Sequence, residues 1–394
     1  MRQIVVVTDG EQRSALATVR ALGSAGHIVH VCSSRKRSLA GASRFASSES
    51  RVPDPLQAPA EYVNALCTLC LSVGASVLLP ISEPSLLAVL PQRDRFACNV
   101  PFPSSESFSA VCDKERVLDV AECHGLKVPR QHILIDASGA RDLVDRLVFP
   151  VVLKPARSVA GPAGRRVKVG VTYAHDRSGL VGALEAMLPE AYPVLLQERI
   201  EGPGFAISLL IWNGTILAAF GHERLREKPP SGGVSVLRKS IPLDHKLMEQ
   251  SARLLAEFQW RGVAMVEFKR DAGAGTAYLM EINGRLWGSL QLAIDAGVNF
   301  PLLLVQAAMS DDIRPVLSYD VGVQTRWELG DLDHLLTRLR RSPKALNLPP
   351  SAPSRWRAVA EFVGGFGPRN KQEVLRLTDP RPFVHEVLTW LRGR

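Results

Sequence analysis

What this chain lacks narrows its identity before anything it contains. No apolar run approaches the roughly 20 residues that a bilayer-spanning helix needs. The opening strand-like run Ile4–Val7 meets polar Thr8, Asp9 and Gly10 too soon for a secretory leader. Cysteines are few, six in all, and confined to the first third of the chain. Cys67 and Cys70 form a CxxC without a second pair or a suitably spaced histidine, which excludes a zinc module. Beside Leu66, Leu69 and Leu71 they read as buried thiols on a helix. No Gly-rich loop ending in Lys-Ser or Lys-Thr is present, against a P-loop enzyme, and the turn Thr8–Arg13 lacks the GxGxxG spacing of a dinucleotide site. There is no internal repeat and no low-complexity segment. A soluble, cytoplasmic protein is the expectation.

At 394 residues the chain exceeds what one hydrophobic core usually supports, so two or three domains are expected. Its 46% hydrophobic and 22% charged composition is that of an ordinary globular protein. The net charge of +9 is concentrated late, with Arg338, Arg340, Arg341, Arg355 and Arg376 among the contributors. That stretch carries no RNP-like aromatics, finger ligands or clear helix-turn-helix, so it reads as a solvated basic surface with no nucleic-acid partner. Attraction of small anions would also fit.

The first hundred residues alternate strand and helix: Ile4–Thr8, Gln12–Leu22, Ile28–Cys32, Tyr62–Leu71, Ser76–Pro80. This predicts an α/β domain with a parallel sheet over residues 1–103, ending at Pro101–Ser104. Ligands of such sheets gather at the strand ends, where Arg13 and Glu83 lie. From Val148 the pattern predicts antiparallel strands: Val148–Lys154, Arg166–Thr172, Val194–Glu198, Ala206–Trp212, Ile216–His222, Val263–Lys269 and Ala277–Ile282. Helices are expected at Lys246–Phe258 and Leu286–Asp295, giving an α+β region over 104–315. Residues 316–394 read as a basic extension with helices at Asp331–Arg340 and Phe383–Leu391.

The strongest chemical signal is the pair of strands Val263–Arg270 and Ala277–Arg285 about a Gly-containing turn. A hairpin centred on Ala274 sets Glu267 opposite Glu281, and puts Glu281, Asn283 and Arg285 on one face. A one-residue slip would separate the carboxylates. Opposed carboxylates need neutralising, which Mg²⁺ does while leaving positions for phosphate oxygens. The alternative, two solvated glutamates on an open face, fits poorly with Val263, Met265, Leu279 and Met280.

Upstream, Lys154 ends the apolar run Phe149–Leu153 and needs an anionic partner if buried. The small-residue, basic loop Ala156–Arg166 either closes over phosphates or is a surface loop. Gln197, Glu198, Ile200 and Glu201 run into a Gly-Pro-Gly bend. His222, Arg224 and Arg226 share a face if their strand is regular, a row able to meet charge on a transition state. Pairing with Glu223 and Glu227 as a surface ladder is the competing reading, and the turn Pro229–Gly233 could form a lid.

In order and spacing, Asp113-Lys114, Val151–Pro155, Gln197–Ile200, Glu267 and Glu281–Arg285 resemble the ATP-grasp superfamily over roughly Cys112 to Met309. The resemblance implies that Lys114 and Lys154 contact ATP phosphates, with Glu198 and Ile200, beside Gln197, at the adenine. Glu201 could serve the ribose, whose usual acidic residue is absent at Gly204–Ala206. It further implies that Glu267, Glu281 and Asn283 hold Mg²⁺, or Mn²⁺ in its place, and that Arg285 meets a phosphate or the substrate carboxylate. Gly284 stands where the family usually has proline. The implied activity is carboxylate activation as an acyl phosphate and transfer to an amine, with Lys154 and Arg285 assisting; Arg226, from the cationic row, is a further catalytic candidate. Bicarbonate-using carboxylation, or nucleotide binding without turnover, are the alternatives. Small-molecule substrates, no membrane partner and a homodimer complete the expectation.

Overall fold

The computed structural model describes residues 2–139, 143–310, 313–348, 352–365 and 370–393. The chain opens with a parallel sheet of β1 (Ile4–Val7), β2 (Ile28–Ser33), β3 (Ser48–Arg51) and β4 (Val77–Leu79), ordered β3-β2-β1-β4. Helices Arg13–Ser24, Pro59–Val73 and Glu83–Val89 accompany it. β1 reads as an unbroken apolar run because Val5, Val6 and Val7 are fully buried, as a sheet packed on both faces requires. β3, composed of Ser-Glu-Ser-Arg, lies at the edge and carries no apolar signal by which a sequence could announce it. The Asp9 carboxylate accepts from the Ser82 N–H at 3.0 Å and from the hydroxyls of Ser82 and Ser85 at 2.7 and 2.8 Å. It thereby ties together the carboxyl ends of β1 and β4.

A second, four-stranded sheet comprises β5 (Gln131–Leu134), β6 (Val151–Pro155), β9 (Thr172–Ala174) and β10 (Val194–Glu198), ordered β5-β10-β6-β9. Beside it, β7 (Val159–Ala160) and β8 (Val167–Lys168) form a small hairpin. The single strand expected at Arg166–Thr172 is therefore two short strands in different sheets; Gly170 interrupts the run, and glycine weakens a strand interior. Val151, Leu153, Leu180, Leu184, Val194 and Leu196 give this unit a core separate from the main one.

The third sheet has seven strands: β11 (Gly204–Trp212), β12 (Thr215–Lys228), β13 (Val234–Ser240), β14 (Gly262–Arg270), β15 (Ala277–Asn283), β16 (Gln324–Arg326) and β17 (Asn370–Gln372). The order is β15-β14-β11-β12-β13-β16-β17, antiparallel except between β16 and β17. The expected α/β region followed by α+β layers is what the chain adopts.

Residues of the basic stretch 316–394 are built into this body. β16 and β17 extend the large sheet. Buried Arg20 donates to the Asp379 carboxylate at 2.9 Å and to the carbonyls of Glu373, Val374 and Asp379. Glu373 receives both Arg13 and fully buried Arg238 at 2.5 Å. A charged tail is held inside because its ions arrive already paired.

Candidate nucleotide and metal site

The hairpin of β14 and β15 sets Glu267 directly opposite Glu281. A bulge follows at once, so that Phe268 faces Leu279 and the register shifts beside Met280. The Asn283 amide donates to Glu267 at 3.0 Å and to Glu281 at 3.3 Å, and its oxygen accepts from Arg285 at 3.3 Å. Lys114, at the start of helix Lys114–Cys123, lies 3.8 Å from the Glu281 carboxylate and donates to Ser158 at 2.8 Å. Glu281, Asn283, Arg285, Lys114, Ser158 and Glu83 line a pocket of about 20 Å³.

Glu267, Glu281, Asn283 and Arg285 also border a cavity of about 920 Å³. Lys154 enters it from the end of β6, Arg224 and Glu227 from β12, and Lys269 from β14. Its far wall is made by Arg13, Arg35 and Arg37 of the N-terminal region, with Trp327 and Glu386 from the tail. Burial pushes the Lys154 ammonium down to about 8, with Glu281 opposing and Lys114 and Lys269 adding to the fall. Burial raises the proton affinity of Glu267 against the pull of Arg224, with which it forms an ion pair. For Glu281, burial acts upward but Lys114, Lys154 and Arg224 outweigh it and hold the carboxyl below its ordinary value. Seven cations, Arg13, Arg35, Arg37, Lys154, Arg224, Lys269 and Arg285, face five carboxylates, Glu11, Glu227, Glu267, Glu281 and Glu386. The surplus suits a polyanion such as a triphosphate.

The donor set fits Mg²⁺. Two carboxylates and an amide converge, and a half-turn of the Asn283 amide would present oxygen in place of nitrogen. Hard oxygen donors, with phosphate oxygens to complete the shell, are what this ion takes. Among the described residues no group of three or more His, Cys, Asp or Glu side chains is poised for a metal, so the site depends on that amide and on the phosphates.

Not every expected residue comes here. Arg226 is held by Asp331 through two bonds of 2.8 and 2.7 Å and does not line the cavity. The row with His222 and Arg224 fails because the β12–β13 register shifts between Arg224 and Arg226. His222 is buried against the Ser289 hydroxyl at 3.1 Å. Gln197, Glu198, Ile200 and Glu201 are also absent from the cavity lining. Glu198 accepts from the Arg130 backbone and side chain, Gln197 donates to Gln131, and the Ile200 carbonyl accepts from Lys269 at 3.1 Å. Lys269, Ser158 and the tail residues Trp327 and Glu386 had no motif to mark them.

The parallel N-terminal sheet, the separate small sheet and the acidic hairpin of the large one define an ATP-grasp architecture. Residues 190–328 match the family model described as ATP-grasp in the biosynthetic pathway with Ter operon. A D-alanine–D-alanine ligase of Thermoanaerobacter sp. (strain X514) is 26% identical over 159 residues, 38% of this chain and 42% of the relative. The match thus spans less than half of that relative's length. The biotin carboxylase domain of Hydrogenobacter thermophilus 2-oxoglutarate carboxylase, solved with MgADP and bicarbonate, superposes with a TM-score of 0.64 at 18% identity, covering 82% of this chain and 73% of that one. An L-amino acid ligase of Bacillus licheniformis gives a TM-score of 0.60 at 19% identity over 80% and 78% of the two chains. The structural matches carry the fold alone. The chain is thus similar to ATP-grasp proteins in sequence over residues 190–328 and in fold over most of its length. Among the described residues no helix is long and apolar enough to cross a membrane.

Proposed function

We propose that this protein is an ADP-forming ligase that uses Mg·ATP to activate a small-molecule carboxylate and pass it to an amine or similar nucleophile. The observation that supports this most is the meeting of Glu267, Glu281 and Asn283 with Lys154, Arg224 and Arg285 at one cavity, with Lys114 3.8 Å from the Glu281 carboxylate. The substrate carboxylate attacks the γ-phosphate, giving an acyl phosphate and ADP. The nucleophile then adds to the acyl carbon, gives up its proton and expels phosphate. Lys114 and Lys154 hold phosphates, and Arg224, exchanged from Glu267, neutralises charge on the phosphoryl group in flight. Arg285 orients that group or the carboxylate. Glu267, Glu281 and Asn283 would hold the Mg²⁺, or Mn²⁺ in its place, which supplies charge neutralisation between the phosphates. The bend after β10, with the Ile200 backbone beside Gln197, is assigned to the nucleoside, while Glu201 lies outside that assignment. Glu198, engaged by Arg130, acts there by holding the bend.

The test is hydroxylamine trapping with Mg·ATP and a panel of carboxylic acids, reading hydroxamate and ADP together. Glu281→Gln is expected to lower ADP release by more than about 100-fold with folding intact. Full activity in that variant would remove the metal assignment. Bicarbonate-dependent ADP release without an organic acid would move the reading to carboxylation. Nucleotide binding with no ADP release on any acid would make the protein a nucleotide-binding regulator.

A further inference from the structure

A second cavity, of about 560 Å³, shares no lining residue with the first. Arg199 and Glu201 of the bend after β10 form one side, and His175, just beyond β9, another. Arg338 and Arg341, at the end of helix Glu328–Arg340, close it together with Lys344 and Arg355. Five cations therefore face a single carboxylate, that of Glu201.

Among the described residues none of the five is in an ion pair. Arg199 donates to the Asn347 carbonyl at 2.9 Å, Arg355 to the Arg341 carbonyl at 3.1 Å, and Arg338 to the Pro353 carbonyl. Neutral carbonyls orient these guanidiniums without cancelling their charge. Arg338 is buried, 7% exposed, where an unpaired charge costs most. Glu361, whose charge also reaches it, pairs with Arg357 at 3.1 Å. Helix Arg355–Gly364 begins at the cavity, so the positive end of its dipole adds to the field. Like charges gathered in a concave site repel one another unless an anion joins them. The volume is that of a small-molecule site.

We propose that this basic cavity binds a small phosphate-bearing anion carrying at least two negative charges. Arg199 also gives the site a route to the first cavity. Its guanidinium lies 5.6 Å from the Tyr173 ring, and the Tyr173 hydroxyl donates to Ser231 at 3.4 Å, beside Gly232 and Gly233 on the first cavity's wall.

Calorimetric titration of the full chain with inorganic pyrophosphate and with fructose 1,6-bisphosphate tests the proposal. Binding is expected that weakens more than about tenfold in an R341Q/R355Q double variant, since charge-assisted contacts are lost. Both side chains are exposed, so the variant should melt as the parent does. Lys154→Gln, in the first cavity, should leave this binding in place. Tighter binding of the sugar bisphosphate identifies a phosphorylated metabolite as the source, and tighter binding of pyrophosphate a free inorganic anion. No binding of either probe, equal affinity in parent and double variant, or loss in Lys154→Gln would each overturn the proposal.

Discussion

Nucleotide binding at pH 8.5 is expected to take up most of a proton, and Lys154 is the group that takes it. The side chain ends β6 opposite Leu195, between buried Leu153 and Pro155, and burial brings its ammonium down to about 8. At pH 8.5 about a quarter of the free protein carries that proton. A triphosphate beside the lysine favours its charged form and restores a value near 10.4, so that binding takes up about 0.7 proton. At pH 7 the lysine is already about nine-tenths protonated, and uptake falls to about 0.1. Calorimetry of ADP binding in buffers of different ionisation enthalpy reads this number directly. Lys154→Arg, whose side chain stays charged throughout, keeps a phosphate contact and should abolish the uptake. An enthalpy independent of buffer at pH 8.5 in the parent, or uptake unchanged in Lys154→Arg, would show that Lys154 does not meet the phosphates.

Two neighbouring arginines should separate cleanly. Arg224→Gln is expected to cut ADP release about 100-fold, because it removes a cation from the transferring phosphoryl group. Arg226→Gln should keep that activity and lower the urea midpoint, losing about 1–3 kcal/mol with its two bonds to Asp331. The opposite result would return Arg226 to the site. The Glu386 carboxyl is pushed up to about 7 by burial, against the Trp327 hydrogen bond and with Glu328 adding to the rise. Between its ordinary 4.5 and about 7 the folded state holds a proton that the unfolded chain has lost. Stability from this group therefore falls as pH rises through that window, by up to about 3 kcal/mol. Glu386→Gln should lose less stability than the parent between urea melts at pH 5 and pH 8; identical losses would refute the assignment.

The acidic hairpin was legible because its geometry is local. A turn of fixed centre dictates which residues oppose, and the bulge falls one step beyond the Glu267–Glu281 pair, leaving it intact. The same reasoning failed for Arg226, where the irregularity falls inside the row and turns the side chain toward Asp331. β13 carries Arg238, a fully buried cation that no apolar pattern announces. Its partner Glu373 lies far along the chain, and Arg13 and Arg20 find Glu373 and Asp379 across 360 and 359 residues. Neither period two nor period 3.6 encodes such a meeting. Hence the arginines of the tail read as solvent-facing, although Arg338 is buried and Arg376 reaches Asp295 at 2.6 Å.

That misreading bears on what the excess charge is for. Cations of the first cavity exceed its carboxylates by two, and those of the second exceed Glu201 by four. Together these account for two thirds of the chain's formal excess of nine. A polynucleotide is met by a continuous basic strip or stripe along its backbone. Here the surplus lies in two concavities of about 920 and 560 Å³, each of a size that encloses a small ligand. Field lines focused by low-dielectric walls concentrate small anions there at little cost in non-specific association elsewhere. The basic isoelectric point thus reflects, in large part, charge gathered in two concavities rather than along a continuous strip.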